Sequence, residues 1–254
     1  MNNPEPINFN TVADIYDIYV NIDTDIPFFL KETENFSGEI LELMCGTGRV
    51  SIPLLEAKRK LVCVDYSEGM LESFRNKIIA GYKVELIRMD VTELSLNRKF
   101  GLIILPFHSL SEILTKEKQK NALIKISEHL KPGGTFICTL QNPKARLKTA
   151  DGSLRSLGEY KLPGNNKLAV SFTNQWNSEQ GIITGYQYYE IISDKGDLLD
   201  KRMIEINFRL VTDYEFREMI KETGMQIAEV YGDYSYSSFN EDTSSFMIYK
   251  LVKQ

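Results

Sequence analysis

Apolar runs alternate with amphipathic segments along the first 140 residues. Five runs have the composition of buried strands: Ile40–Met44, Leu61–Asp65, Val84–Val91, Phe100–Phe107 and Thr135–Leu140. Segments between them carry apolar residues at helical spacing, as in Glu68–Ala80 and Lys116–Leu130, with Ser67 and Thr115 at the N-cap positions. Two further helices are predicted ahead of the first strand, at Thr11–Asn21 and Ile26–Thr33. Strands that alternate with helices predict an α/β fold with a parallel sheet.

The pattern changes after residue 142. Pro143–Asn166 is polar and contains several glycines and prolines, so we expect a loop there. Three strand-like runs follow, separated by turn residues: Leu168–Trp176, Ile182–Ser193 and Arg202–Leu210. We interpret residues 143–210 as a small antiparallel β insert in a main domain made of residues 1–142 and 211–254.

The C-terminal part returns to the main domain. Thr212 and Glu215 have the spacing of a capping box, which predicts a helix that ends at Gly224. Met225–Tyr231 and Ser245–Val252 then alternate between apolar and polar residues. We expect these two runs to form an antiparallel pair that completes the sheet.

Composition excludes several classes of protein. The chain has 254 residues, 43% of them apolar, and a net charge of −5, which disfavours a protein built around phosphate contacts with nucleic acid. Each of the three cysteines lies in or at the end of a predicted core strand, and no pair has metal-ligand spacing, so we expect no metal and a cytoplasmic location. No apolar run approaches the length of a membrane span, and we expect no membrane partner.

Glycines follow the first strand in Cys45-Gly46-Thr47-Gly48, and a carboxylate, Asp65, ends the second strand. Glycine lets the backbone turn sharply and lets a ligand lie close to it, and a strand-end carboxylate can accept hydrogen bonds from both hydroxyls of a ribose. The motif therefore indicates a nucleotide site. Ser51 stands at the third glycine position of the dinucleotide fingerprint and is small enough to leave that alternative open.

Two later motifs narrow the interpretation. Met89-Asp90 follows the third strand, and Leu130-Lys131-Pro132-Gly133-Gly134 precedes the fifth. With the glycine turn and Asp65, this order resembles the class I S-adenosylmethionine-dependent methyltransferases. The resemblance implies a Rossmann-like, seven-stranded, mostly parallel sheet with an antiparallel last strand, and S-adenosyl-L-methionine as the cofactor.

The resemblance also implies roles for individual residues. Glu42 and the glycine turn would hold the methionine end of the cofactor, and Asp65 its ribose. Met89 would pack on the adenine, and Asp90 would accept a hydrogen bond from the adenine amino group. The implied cofactor-binding set is Tyr16, Glu42, Leu43, Met44, Cys45, Gly46, Gly48, Asp65, Tyr66, Met70, Met89, Asp90, Val91 and Pro106. The chain departs from the family at Met44, where glycine is usual, and at Gly101, where an acid is common. Met44 predicts an altered affinity or a shifted pose of the cofactor.

Methyl transfer mainly needs an aligned nucleophile, but a protonated acceptor also needs a base. His108, in the loop after the fourth strand, is the candidate because ligands bind at this edge of open α/β sheets. The alternative is a loop histidine bonded to backbone. Aromatic side chains that could line the acceptor site are Tyr19, Phe107, Tyr234 and Tyr236, with core packing or an edge turn as the alternative explanation.

The acceptor is expected to be a small molecule. The loop Leu105-Pro106-Phe107-His108 lacks the Asn/Asp-Pro-Pro-aromatic pattern of amino-directed DNA methyltransferases, which argues further against nucleic acid. The layout is similar to small-molecule N-methyltransferases of the glycine and amino-sugar kinds, with transfer to nitrogen or oxygen. The insert is expected to cover the active site or to form a homodimer face. The alternatives are a protein that binds the cofactor without catalysis and, disfavoured by the two later motifs, a nicotinamide-dependent oxidoreductase.

Overall fold

A computed structural model describes residues 4–254 of the protein, and eleven strands in this part form two sheets. In chain order the strands are β1 (Glu39–Leu43), β2 (Lys60–Asp65), β3 (Lys83–Arg88), β4 (Phe100–Leu105), β5 (Leu130–Gln141), β6 (Arg155–Lys161), β7 (Lys167–Asn177), β8 (Ile182–Ile192), β9 (Leu198–Arg209), β10 (Met225–Tyr231) and β11 (Phe246–Lys253). The larger sheet has the order β10-β11-β5-β4-β1-β2-β3. Six strands of this sheet run in the same direction and β11 runs in the opposite one, as the resemblance implied.

Seven α-helices accompany the strands in the described residues. They are α1 (Tyr16–Tyr19), α2 (Ile26–Glu32), α3 (Ser51–Glu56), α4 (Glu68–Arg75), α5 (Lys116–Glu128), α6 (Pro143–Leu147) and α7 (Asp213–Ile220). The predicted caps are present: the Ser67 and Thr115 hydroxyls accept from the N–H groups of Met70 and Lys118. Thr212 and Glu215 form the reciprocal capping box of α7.

The larger sheet is buried on both faces. On one face β1, β4 and β5 pack through Leu41, Ile103 and Phe136 against α5 and α7. On the other face Ile40 and Ile104 pack against α2, α3 and α4. Burial on both faces explains the nearly continuous apolar runs of the central strands, since a parallel sheet covered by helices has no solvated side.

The smaller sheet, β6-β7-β8-β9, is antiparallel throughout and forms the insert. A third apolar cluster joins it to the N-terminal segment, where Ile7, Val12 and Ile15 meet Leu168 and Ile206. At its centre the Tyr19 and Tyr189 hydroxyls are hydrogen-bonded at 2.9 Å. Residues 7–20 therefore pack on the insert.

Three predictions of local structure were wrong. The segment 143–166, expected to be a loop, contains α6 and β6. Pro143 suits the first position of α6, and Asn142 caps it; β6 is an edge strand whose polar residues face solvent. The helix predicted at Thr11–Asn21 is reduced to α1, because the N–H groups of Val12, Ile15 and Ile18 bond three residues back rather than four. Similar three-residue turns after Arg75 end α4 before Ala80.

No helix among residues 4–254 has both the length and the apolar character needed to cross a membrane.

Candidate active site

The glycine turn after β1 has a left-handed backbone at three of its residues. Met44, Gly46 and Gly48 have φ angles of 53°, 56° and 83°. A Cβ on Gly48 would lie 2.6 Å from ring carbons of Phe74, so only glycine fits that position. The φ of Met44 explains in physical terms why glycine is the easier residue there, since a left-handed residue with a side chain is strained.

Asp65 fastens this turn to the end of β2. Its Oδ2 accepts from the Gly46 N–H and its Oδ1 from the Ser67 N–H, both at 2.8 Å. Burial raises the pKa of this carboxyl, while the backbone donors oppose the shift. Asp65 thus sets the shape of the turn, and each of its oxygens keeps a lone pair for a further donor.

Three cavities open at the carboxyl edge of the larger sheet. The turn cavity, of about 50 Å³, lies between the glycine turn, Asp65, Tyr16 and Phe107. The edge cavity, of about 490 Å³, is bounded by Ile7, Met89, Asp90, Val91 and Ile113. The insert cavity, of about 310 Å³, is bounded by Tyr19, His108, Arg146, Asn174 and Phe208. Met44 and Tyr66 line both of the first two cavities, while Tyr16 and Phe107 line the turn and insert cavities.

Asp90 and Met89 shape the edge cavity. The Asp90 Oδ1 accepts from the backbone N–H and the hydroxyl of Thr92, both at 2.8 Å, and so caps the short turn Val91–Glu93. The Met89 thioether accepts from the Ser95 N–H at 3.4 Å. The carboxylate is thereby held at the rim of an otherwise largely apolar cavity.

Polar contacts hold the N-terminal segment over the turn. The Thr47 hydroxyl donates to Asp17 of α1 at 2.5 Å, and the Tyr66 hydroxyl donates to the Ile7 carbonyl. Arg49 forms a two-fold ion pair with Asp25 at 2.6 Å, and its guanidinium carbon lies 4.4 Å from the Phe107 ring centroid. Arg49 therefore joins three segments around the turn cavity.

The loop after β4 carries a strained pair of residues. Phe107 and His108 have φ angles of 58° and 61°, and neither is glycine. The His108 ring stacks between Phe107 and Phe246, with centroids 5.4 and 5.5 Å away, and its Nδ1 is buried without a hydrogen-bond partner in the described residues. Burial lowers the pKa of His108 to about 3, helped by the nearby cations Arg146 and Arg49. The imidazole is therefore neutral at physiological pH.

Glu112, at the end of the same loop, lines all three cavities. Burial and the neighbouring Asp65 raise its pKa to about 8. Burial raises the pKa of Glu42 to about 8 as well, although the Ser51 hydroxyl donates to it at 2.6 Å. The sequence patterns did not single out Glu112, although it lies four residues after His108 and at the same edge of the sheet.

The structure brings most of the predicted site residues to these cavities. The turn cavity contains Tyr16, Glu42, Met44, Cys45, Gly46, Asp65, Tyr66, Met70 and Pro106. The edge cavity adds Met89, Asp90 and Val91. The insert cavity contains Tyr16, Tyr19, Phe107 and His108.

Four predicted residues lie elsewhere. Leu43 is fully buried in the core beneath the turn, and Gly48 faces Phe74 rather than a cavity. Tyr234 and Tyr236 pack around Phe28, and the Tyr236 hydroxyl donates to Glu32 at 3.0 Å. Their rings pack in an aromatic cluster and line none of the three cavities. This arrangement fits an edge turn, the alternative explanation, rather than a wall of the acceptor site.

Comparison with known proteins agrees with this geometry. Residues 40–134 match the family model described as a methyltransferase domain. The chain is 30% identical over 135 residues to the cypemycin N-terminal methyltransferase of Streptomyces sp, covering 53% of this chain and 54% of that protein. It is 24% identical over 232 residues to the glycine/sarcosine N-methyltransferase of Aphanothece halophytica, covering 89% and 80%. The chain spans about half the length of the curated relatives that share at least 30% identity with it.

The whole fold has a counterpart among solved structures. The CcbJ methyltransferase from Streptomyces caelestis superposes with a TM-score of 0.83 at 19% identity, over 99% of this chain and 100% of that one. The resemblance to class I methyltransferases and the predicted fold class are both confirmed. Residues 40–134 thus match a methyltransferase domain, and the chain as a whole has the fold of the class I S-adenosylmethionine-dependent methyltransferases.

Proposed function

We propose that this protein binds S-adenosyl-L-methionine in the turn and edge cavities and transfers its methyl group to a nitrogen or oxygen of a small molecule in the insert cavity. The observation that carries the proposal is Asp65, a strand-end carboxylate bonded to the glycine turn and directed into the turn cavity. The resemblance to class I methyltransferases implies that this carboxylate binds the ribose.

The residues present suit such a cofactor. Met89, Val91 and Ile113 give the edge cavity apolar walls for an adenine ring, and Asp90 supplies an acceptor for its amino group. Glu42 and Glu112 place two carboxyl groups around the turn cavity, and a ligand with a sulfonium and an ammonium group would favour their ionised forms. When bound, the cofactor supplies a methyl group made electrophilic by its positively charged sulfur.

The protein itself would position the acceptor and take its proton. Tyr16 and Phe107 form the shared wall between the turn and insert cavities, so they would align the acceptor and keep water out. His108 stays our prediction from the sequence for the base. We also propose Glu112, since a base works best when its pKa lies near the working pH, and its pKa of about 8 meets that condition better than the value of about 3 for His108.

A small acceptor is supported by the insert cavity, whose volume of about 310 Å³ suits a metabolite-sized ligand. A relative matched over 89% of the chain is named for glycine and sarcosine, both small amines. No nucleic acid or membrane partner is proposed. The exposed Leu198, Leu199 and Met203 of β9 favour a homodimer through the insert, which sedimentation would test, and three buried free thiols favour a cytoplasmic location.

Calorimetry with three ligands tests the proposed function. We expect S-adenosyl-L-methionine and S-adenosylhomocysteine to bind with micromolar affinity, about −7 to −8 kcal/mol, and NAD not to bind. Binding of NAD alone would contradict the proposal and favour an oxidoreductase. If the first two bind, incubation of the protein with metabolite pools should yield a product heavier by one methylene; binding with no product would favour a protein that senses the cofactor without catalysis.

A further inference from the structure

The insert cavity contains a buried cation without a counter-charge. Arg146, in α6, places its guanidinium carbon 4.7 Å from the Phe208 ring centroid, and burial lowers its pKa. Within residues 4–254 no carboxylate lies within ion-pair distance of this guanidinium, and it donates no hydrogen bond.

Two other buried arginines have the carboxylate partner that Arg146 lacks. Arg49 and Arg209, with side chains 14% and 12% exposed, pair with Asp25 at 2.6 Å and Glu215 at 2.7 Å. Removing a cation from water is costly unless a partner compensates it. Arg146 is therefore a largely buried cation in a position where a ligand, rather than a protein side chain, can supply the negative charge.

The groups around Arg146 are neutral. Gln141, Asn174, Gln187 and His108 share the cavity wall with it, and both Asn174 Oδ1 and His108 Nδ1 are buried without a partner. The one acid in this wall, Glu112, also lines the turn cavity. Arg146 lines only the insert cavity. The wall thus has a carboxyl group toward the proposed cofactor and a guanidinium group away from it.

We propose that Arg146 binds the carboxylate of the methyl acceptor, whose apolar part lies among Phe172, Ile206 and Phe208 and whose nucleophile faces Glu112. This inference rests on the proposed function of the site. A carboxylate is favoured because one guanidinium beside a neutral imidazole compensates a single negative charge, and because a guanidinium fork matches carboxylate geometry. An acceptor of the amino-acid type, with its amine and carboxylate at opposite ends, satisfies both ends of the cavity.

Four phenyl-substituted probes test this without knowledge of the natural acceptor: 3-phenylpropionate, 3-phenylpropionamide, 3-phenylpropylamine and 2-phenylethyl phosphate. Their affinities for the whole protein would be measured by ligand-observed NMR, with and without S-adenosylhomocysteine. We expect the carboxylate to bind about tenfold more tightly than the amide, equivalent to about 1.4 kcal/mol. The preference should be lost in Arg146→Met, which keeps an apolar stem over Phe208, and partly kept in Arg146→Lys.

Lys148→Met is the matched control, because it removes an exposed positive charge two residues away that lines none of the cavities. It should keep the full preference for the carboxylate. Equal binding of carboxylate and amide by the unaltered protein, no binding of any probe, tighter binding of the phosphate, or a preference that survives in a folded Arg146→Met variant would each overturn the proposal. Failure of the cofactor proposal is separate, since it would appear as absent binding of S-adenosylhomocysteine.

Discussion

The turn and edge cavities differ from the insert cavity in how the chain builds them. The glycine turn, Asp65 and Met89-Asp90 each follow a strand of one parallel sheet, and backbone N–H groups fix the carboxylates in place. The insert cavity instead combines the N-terminal segment, the loop after β4, α6 and all four strands of the insert. A ligand site held by backbone has a stable form that different chains can share, whereas a site made from side chains of separate elements can change its ligand without changing the fold.

The largest expected effect concerns Glu112, the proposed base, which lines all three cavities. Glu112→Gln should lower turnover by about 10²- to 10⁴-fold, because the amide keeps the shape of the side chain but cannot accept the acceptor's proton. His108→Gln should lower turnover much less. Labelled methyl transfer to the acceptor found in metabolite pools would measure both, and cofactor affinity should stay within a few-fold in each variant. A large loss in His108→Gln with activity retained in Glu112→Gln would reverse the assignment.

A smaller effect should distinguish a substitution beside the turn cavity from one in the insert. Asp65→Ala should weaken cofactor binding by about 1 to 3 kcal/mol, since it removes charge-assisted bonds to the ribose and also frees the Gly46 and Ser67 N–H groups. Asp194→Ala, which removes an exposed acid in a turn of the insert, is the matched control and should bind the cofactor as the unaltered protein does. Equal affinities of the two variants in calorimetry would refute the role of Asp65.

The smallest effect is a release of protons when the cofactor binds. With pKa values of about 8, Glu42 and Glu112 are mostly protonated at pH 7, and a bound sulfonium cation would lower both values. Binding enthalpies measured in buffers of different ionisation enthalpy should therefore show protons released, fewer of them in Glu112→Gln. Proton uptake, or the same release in both proteins, would contradict this picture.

The same raised pKa values set the sign of a stability effect. Between about pH 4.5 and pH 8 the unfolded chain has ionised these two carboxyls while the folded protein still holds their protons. Their contribution therefore makes the free energy of unfolding of the ligand-free protein fall as the pH rises through that range. Glu112→Gln should flatten the decline in denaturant titrations.

Sequence patterns predicted the structural features that depend on residues close together in the chain. The alternation of strands and helices, the caps at Ser67 and Thr115 and the capping box of α7 depend on neighbours a few positions away, and the structure shows them as expected. Most of the residues predicted to bind the cofactor line the turn and edge cavities, and their roles stay predictions. β6 was missed because an edge strand buries little and shows no strong alternation.

The acceptor side was harder to predict for a different reason. Glu112 and Arg146 are single charges in segments of ordinary composition, and their importance depends on burial that only the packed insert creates. Tyr234 and Tyr236 were assigned to the substrate because a tyrosine-rich loop suggested a pocket wall, but contacts with Phe28 hold them outside it. Both the missed charges and the misplaced tyrosines depend on contacts between segments far apart in the chain, which a single sequence does not show.

The N-terminal segment, residues 4–22, contributes side chains to all three cavities. Ligands in two of these cavities would therefore contact the same segment, and any cost of holding it in place would be shared between them. By thermodynamic reciprocity each ligand then raises the affinity for the other to the same degree. Coupling between two ligands of this protein would thus depend on residues 4–22 rather than on the larger sheet.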